Sequence, residues 1–348
     1  MAAVSYALLN AAGRGGHILT TWRLYGGTVD AFSHIYPELG VTIDVVEDAD
    51  DPAAFERAIG PLTRALFVES ITNPLLTVSD LAALAEIAHR HGIPLIVDNT
   101  LATPYLLNPF EFGADVVVYS ATKALSGHGN VIAGLVVESG RFDYGAGAHP
   151  QFTEPHWFLR DENDVPRNHL QLFPDTPFTG RLRAIHLNYL GAALSPFDAY
   201  LILLGIETLT ERVERQVRNA EALVAYLEAS PHVSWVSYPT AQGSPWAALA
   251  QKYLPRGAGS IVSFGFKGSE QQVRRLLDSV ELFSYQANIG DARSLIINPA
   301  QTTHIELTNE QRAAIGLDPK TIRLSLGLED AADLIADLDQ ALAQAVGA

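Results

Sequence analysis

Short apolar runs alternate with helix-like segments from residue 17 to residue 138, and this alternation limits the possible folds more than any other feature of the chain. The apolar runs have the length and the β-branched content of buried strands, as at 93–97 and 116–119. Strands that are separated by helices pair in parallel, because each helix carries the chain back across the sheet. We therefore expect an α/β fold with a mostly parallel, doubly wound sheet.

The same region contains further predicted elements. Helices are predicted at 1–12, at 52–59 and at 78–91, the last with Ser79 as its N-cap, and a loop with a Gly-Gly turn is predicted at 22–28. The remaining strands are predicted at 17–20, 41–46, 65–68 and 131–137.

Two domains are expected from the length of 348 residues. A long helix predicted at 195–229 ends the large domain, which we assign to residues 1–229. Residues 230–348 are expected to form a smaller α+β domain. Its predicted elements are strands at 233–238 and 260–265 and helices at 270–279 and 331–345.

Residues 141–189 are rich in aromatic residues and contain prolines, and they exceed the length of an ordinary loop. They form either a long functional loop or short secondary-structure elements that the sequence pattern does not locate. Four histidines lie here without the spacing of metal ligands, so we expect no metal site and solvated imidazoles. They are His149, His156, His169 and His186.

Composition excludes several classes of function. The net charge of −16 disfavours nucleic acid and anionic membranes as partners. The chain has no cysteine, which removes thiol nucleophiles, disulfides and thiolate metal sites. Neither an apolar run of membrane-spanning length nor an export signal is seen, so a cytoplasmic location is the expectation.

Polar residues follow two of the predicted strands and suggest a site. Asp98 ends one strand, whereas Ser120, Thr122 and Lys123 follow the next. Ligands of open α/β sheets bind beyond the carboxyl ends of the strands, so these side chains should meet in one crevice. Pyridoxal phosphate needs a lysine for covalent attachment, an acid beside its ring nitrogen and donors for its phosphate. A surface lysine and a helix-capping aspartate are the alternative explanation at this point.

The sequence around Lys123 resembles the Cys/Met-metabolism family of pyridoxal-phosphate enzymes, which have fold type I. The motif SATKALSGHGN contains Lys123, and DNT begins 25 positions before it at Asp98. Further blocks in the family's order are LYGGT, ESITNP, GDARSLIINPAQTTH and IRLSLGLED. Two later stretches, LGAALSPFDAYLILLGIETL and SPWAALAQKYLPRGAGSIVSFGFKG, look most like the O-acetylhomoserine sulfhydrylase branch of this family.

The resemblance implies roles for individual residues. Lys123 would carry the cofactor and act as the catalytic base, and Asp98 would face the ring nitrogen. Around the cofactor, Tyr25 would stack on the ring, Asn73 would bind its phenolic oxygen, and Ser120 and Thr122 would bind its phosphate. On the substrate side, Arg323 would hold the α-carboxylate, and Ser294 would make a further contact.

The implied reaction is a γ-replacement in which O-acetylhomoserine and sulfide give homocysteine and acetate. A γ-elimination, as in methionine or cystathionine γ-lyases, would use the same residues and is the alternative. The resemblance also implies a homo-oligomer, a dimer or a tetramer. A catalytically silent subunit that only associates with longer chains is a third possibility.

The first helix motivates that third possibility. It opens at Met1 without a Ser, Thr, Asp or Asn cap. The resemblance implies a preceding arm and a Ser-Gly-Met-Ala-like turn whose amides hold the phosphate at the helix N-terminus. We expect the chain as printed to bind pyridoxal phosphate weakly and to assemble poorly, and a version that starts further upstream to do both well.

Overall fold

A computed structural model describes residues 1–305 and 307–347, and its larger sheet has six strands in the order β2-β1-β3-β4-β5-β6. Neighbouring strands from β2 to β5 pair in parallel, and only β6 is antiparallel to its neighbour. The prediction of an α/β fold on a mostly parallel sheet is therefore confirmed. The strands are β1 His17–Thr21, β2 Thr42–Val46, β3 Thr63–Glu69, β4 Leu95–Asp98, β5 Val116–Ser120 and β6 Gly134–Glu138.

Apolar clusters cover both faces of this sheet. Leu66, Val97 and Val117 belong to one buried cluster, and Phe67, Ile96 and Val118 belong to the other. This explains why the central strands are continuous apolar runs and do not alternate with polar residues. The helices of this part are α1 Ala2–Ala12, α2 Gly26–His34, α3 Pro52–Ala58, α4 Leu81–Arg90 and α5 Thr103–Leu106, with a 3₁₀ turn at Pro109–Phe112.

Two helix starts differ from the prediction. The loop predicted at 22–28 ends early, because α2 begins at Gly26. Helix α4 is capped by Asp80, whose carboxylate accepts a hydrogen bond from the Ala83 N–H. The prediction of Ser79 as the N-cap was wrong, because its hydroxyl donates to the Glu69 carbonyl oxygen at 2.7 Å.

The helix predicted at 195–229 is wrong as a single element. It consists of α10 Pro196–Glu207 and α11 Leu209–Ala229, which are separated at Thr208. Gly205 lies against the loop after β5, and a Cβ atom there would be 2.3 Å from the Ser126 carbonyl oxygen. The break at Thr208 thus lies next to the point where α10 packs against this loop.

The smaller sheet has the order β7-β8-β11-β10-β9 and is antiparallel except for β9 and β10. Its strands are β7 Val233–Ser237, β8 Ile261–Phe266, β9 Ser284–Tyr285, β10 Leu295–Ile297 and β11 Thr321–Ser325. Its helices are α12 Ala247–Tyr253, α13 Glu270–Ser279, α14 Asn309–Ala314 and α15 Ala331–Val346, with a 3₁₀ turn at Pro299–Gln301. The α+β character is as expected, and the boundary at residue 229 stays a prediction. In the part of the chain that the structure describes, no helix combines the length and apolar content needed to cross a membrane.

Residues 141–189 contain short helices packed around a buried aromatic cluster. The elements are α6 Pro150–Thr153, α7 His169–Leu172, α8 Pro177–Arg181, a π-helical turn at Leu182–Leu187 and α9 Asn188–Leu190. Tyr144, Phe152 and Phe178 are buried in it together with His149 and His169. The expectation of solvated histidines was wrong at these two positions, because their imidazoles fill gaps among the rings.

Burial lowers the pKa of His149, His169 and His186 from 6.5 to about 4, and the nearby Arg64 or Arg181 charge adds to the effect. The unfolded chain therefore binds more protons than the folded chain between these two pH values. By linkage, the free energy of unfolding must fall as pH decreases from 6.5 towards 4.

We expect His149→Gln to reduce this pH dependence by at most roughly one quarter, because burial also lowers the pKa of His304 to about 4 and one of four such histidines no longer takes up a proton on unfolding. Urea unfolding between pH 4 and 7 measures the slope, whatever the variant does to absolute stability. His34→Gln, at an exposed position, is the control and should keep the wild-type slope. An unaltered slope in His149→Gln would contradict the assignment.

Candidate active site

A cavity of about 760 Å³ lies beyond the carboxyl ends of β3, β4 and β5. The start of α1 and residues 287–289 also line it. Seven of the eight residues predicted for the site contribute to its wall, and they are Tyr25, Asn73, Asp98, Ser120, Thr122, Lys123 and Arg323. The structure thus brings together positions that are 298 residues apart in the sequence, from Tyr25 to Arg323.

Lys123 is held by a residue that the sequence did not indicate. Its Nζ donates a hydrogen bond to Asn288 Oδ1 at 2.6 Å. Burial, followed by the charge of Arg323, lowers the pKa of Lys123 to about 8. A substantial fraction of the amine is therefore neutral near physiological pH, as a nucleophile or a general base requires.

Asp98 ends β4 and accepts a hydrogen bond from the Thr100 N–H at 2.9 Å. Burial raises its pKa, while the Thr100 hydroxyl and N–H and the Met1 amino group oppose the rise. Among the described residues Asp98 makes no salt bridge. A cationic group placed beside the carboxylate would offset the cost of its burial.

Arg323 projects from β11 and is only 2% exposed. Its guanidinium donates to Asn73 Oδ1 at 2.9 Å and to the Asn288 carbonyl oxygen at 3.0 Å, and its Nε has no hydrogen-bond partner among the described residues. Burial lowers its pKa to about 10. Both acceptors are neutral, so this buried cation is suited to bind an anion such as a carboxylate.

Tyr25 and Asn73 lie on two loops at the edge of the cavity. The Tyr25 side chain is exposed, with 43% of its surface accessible, and it can cover a planar ligand. Asn73 is buried, and its Oδ1 accepts the hydrogen bond from Arg323. Both residues donate their backbone N–H to the carboxylate of Glu69, at 2.6 Å and 3.2 Å.

Ser120, Thr122 and the first residues of α1 also line the cavity. The Thr122 hydroxyl is engaged with the backbone of Ala133, to whose carbonyl oxygen it donates at 3.2 Å. The Ser120 hydroxyl has no hydrogen bond to any residue that the structure describes. Helix α1 thus presents its N-terminus at the cavity, where the first N–H groups of a helix lack intrahelical partners, and this arrangement suits a phosphate group.

Ser294 does not line the cavity, so its predicted contact with the substrate is not supported. Its hydroxyl donates to Glu329 Oε2 at 2.7 Å and accepts from the Gly327 N–H at 2.8 Å. These bonds tie the segment before β10 to the one after β11, a structural role.

Sequence reasoning missed Glu69 and Asn288. Glu69 could have been found, since it follows the rule that polar residues at strand ends face the crevice. Asn288 lies in a loop of the smaller sheet, and nothing in its sequence indicates a neighbour 165 residues away.

Comparison with known proteins places these features in a family. The family model of the Cys/Met metabolism PLP-dependent enzymes matches residues 1–343. A homocysteine synthase of Schizosaccharomyces pombe is 42% identical over 347 residues, which cover 98% of this chain and 79% of that protein. An O-acetyl-L-homoserine sulfhydrylase of Leptospira meyeri is 41% identical over 349 residues, 97% of this chain and 77% of that protein.

Solved structures agree with this result. A putative O-acetylhomoserine (thiol)-lyase from Campylobacter jejuni, which contains N′-pyridoxyl-lysine-5′-monophosphate, matches with a TM-score of 0.92 and 37% identity. The match covers 98% of this chain and 80% of that one. A cystathionine γ-lyase from Lactobacillus plantarum has a TM-score of 0.83 and 30% identity, over 99% of this chain and 80% of its own. The chain therefore belongs to the Cys/Met metabolism family of PLP-dependent enzymes.

Proposed function

We propose that this enzyme uses pyridoxal phosphate to convert O-acetylhomoserine and sulfide into homocysteine and acetate. The observation that carries the proposal is the meeting of a partly buried lysine, a partly buried carboxylate and a buried arginine in one cavity, at Lys123, Asp98 and Arg323. The sequence identity of 38–42% to homocysteine synthases and O-acetylhomoserine sulfhydrylases supports the choice of reaction.

The residues present fit the cofactor. Lys123 offers an amine of lowered pKa for covalent attachment, and Asp98 offers a partly buried carboxylate for the ring nitrogen. Tyr25 and Asn73 both line the cavity, where Tyr25 would cover the ring and Asn73 would bind its phenolic oxygen. Ser120 and the first amides of α1 suit the phosphate. Thr122 lines the same cavity, although its hydroxyl and its N–H both donate to the Ala133 carbonyl oxygen. When bound, pyridoxal phosphate withdraws electrons from the α-carbon of an attached amino acid.

The chain's own residues then perform three tasks. Arg323 binds the α-carboxylate of the substrate and sets its orientation. Lys123, in its neutral form, would remove the proton at Cα and return it at the end. Asp98 keeps a negative charge beside the ring nitrogen and so favours its protonated form. In the overall exchange the bond from Cγ to the acetate oxygen breaks, and a bond from Cγ to sulfur forms.

Elimination at Cγ is the second candidate, favoured by the structural match to a cystathionine γ-lyase. The named residues would serve both reactions, so turnover must distinguish them. Homocysteine formation from O-acetylhomoserine and sulfide should exceed 2-oxoacid formation from methionine or cystathionine alone. The reverse ratio would reject the replacement reaction. The absence of the absorption band of lysine-bound cofactor, after unbound pyridoxal phosphate has been removed, would favour the silent subunit.

We further propose that the chain forms a homo-oligomer, a dimer or a tetramer, in the cytoplasm. Helix α10 supports the first part, because much of its surface is apolar and exposed at Phe197, Tyr200 and Leu203. Contiguous apolar surface of this kind is typical of protein interfaces. Sedimentation velocity of the cofactor-loaded protein decides between this proposal and the expectation of poor assembly: an oligomer would support the homo-oligomer, and a monomer would contradict it.

Lys123→Ala should abolish turnover and leave the fold intact, because the side chain is needed for chemistry and makes only one side-chain hydrogen bond. The variant should also lose the visible absorption band of the lysine-bound cofactor, with an unchanged far-ultraviolet circular dichroism spectrum. The exposed Lys267→Ala is the matched control. Normal turnover of Lys123→Ala would refute its catalytic role.

Asp98→Asn should bind some cofactor but lose activity by a factor of about a hundred or more, since a neutral amide cannot hold the ring nitrogen protonated. Single-turnover kinetics measure the loss, and Asp278→Asn, an exposed position, provides the control. Activity within a fewfold of wild type would remove Asp98 from the assignment.

Arg323→Lys should raise KM for amino-acid substrates by roughly tenfold, equivalent to about 1.4 kcal/mol, because the planar two-pronged contact is lost while the charge stays. Cofactor affinity should change less than KM. Arg14→Lys on the surface controls for the substitution itself. If KM is unchanged, another residue holds the carboxylate.

A further inference from the structure

Glu69 is the only side chain in the described part of the cavity wall that joins both cofactor-facing loops. It ends β3, and 3% of its surface is exposed. Oε1 accepts the Tyr25 N–H at 2.6 Å, and Oε2 accepts the Asn73 N–H at 3.2 Å. Each oxygen of one carboxylate is therefore used by a different loop.

These two donors favour an ionised carboxylate, because each of its oxygens then accepts one N–H. A glutamine would have one oxygen acceptor, and its amide NH₂ would face the second backbone N–H. A carboxylate here is costly, because Glu69 lies beside Asp98 in the register of β3 and β4. Burial raises the pKa of Glu69 well above its usual value and the Asp98 charge raises it further, while the two N–H donors oppose the rise. Packing alone therefore does not explain why a second acidic residue, Glu69, is buried beside Asp98.

The contacts of Asn73 extend the effect of Glu69 to the substrate side. The Asn73 backbone is fixed by Glu69, and its Oδ1 accepts the hydrogen bond of Arg323 at 2.9 Å. The guanidinium of Arg323 also binds the carbonyl oxygen of Asn288, whose side chain accepts from Lys123. The Glu69 carboxylate thus supports Tyr25 directly and supports Arg323 through Asn73.

We propose that Glu69 is a positioning residue whose carboxylate clamps the Tyr25 and Asn73 loops and thereby places the groups that face the cofactor and the substrate. The consequence for cofactor and substrate rests on the proposed function. The clamp itself is a property of the chain and is measurable without any ligand.

Hydrogen exchange of the Tyr25 and Asn73 amides in the chain without added cofactor tests the clamp. Glu69→Gln should accelerate exchange by at least about fivefold at one or both amides, since it removes one acceptor. Amides of α15 report global stability in the same experiment and should exchange as in wild type. Glu38→Gln removes the same charge from an exposed position and is the matched control. Unchanged exchange at both amides overturns the clamp.

If Glu69→Gln does not fold, Glu69→Asp replaces it, because aspartate keeps the charge and is shorter by one methylene group. It cannot reach both donors, so exchange should accelerate at one amide or both. Protection of both amides at the wild-type level in this variant also overturns the clamp.

Titration with pyridoxal phosphate, followed by visible absorbance, tests the consequence. The dissociation constant of a Glu69 variant should rise by roughly tenfold, as expected for contacts worth about 1.4 kcal/mol. KM for the amino acid should rise more than kcat falls, because Arg323 is displaced and the chemistry of Lys123 is not. Faster exchange with wild-type affinity and KM would overturn the positioning role. If the wild-type chain itself binds no pyridoxal phosphate, the proposed function fails, and the exchange result still decides the clamp.

Discussion

The site depends on the parallel register of β3, β4 and β5, which places the carboxyl ends of three strands at one edge of the sheet. Glu69 pairs with Asp98 across β3 and β4, and Asp98 pairs with Val118 two residues before Ser120. Because the strands are buried on both faces, a shift in register would move apolar side chains out of both clusters. The hydrophobic core thus determines where the acids and the lysine loop lie.

Helix α11 connects this edge with the smaller sheet through polar residues that it buries on one face. Arg212 donates to the carbonyl oxygens of Ala124 and Gly205 and so holds the loop that follows Lys123. The guanidinium lies so close to Gly127 that a Cβ atom there would be 2.0 Å from it, at a φ of +74° that already favours glycine. One turn later, Gln216 donates to the Asp291 carbonyl oxygen at 2.8 Å. The lysine loop and the loop of Asn288 are therefore fastened to the same helix.

The charges in the cavity are arranged at a cost to stability. Burial lowers the pKa of Lys123 and Arg323 and raises the pKa of Glu69 and Asp98, so each group is held in an environment that disfavours its charge. Perturbed titration of this kind is typical of functional sites, where a ligand supplies the missing partner. An anionic substrate and a cationic ring nitrogen would offset these costs at Arg323 and Asp98 respectively. Ligand binding would therefore offset part of the free-energy cost of burying these charged groups.

The sequence by itself determined the layered α/β fold, since the alternation of apolar strands and helices allows few other arrangements. It also determined most of the cavity wall, because Asp98, Ser120 and Lys123 follow strands and family motifs marked Tyr25, Asn73 and Arg323. Only the tertiary structure decided contacts between distant segments. It separated Ser294 from the cavity through Glu329, joined Asn288 to Lys123, and buried His149 and His169 in an aromatic cluster. The physical reason is that local patterns specify which face of an element is buried, whereas the partner of a polar group depends on which distant backbone the packed core brings within hydrogen-bonding distance.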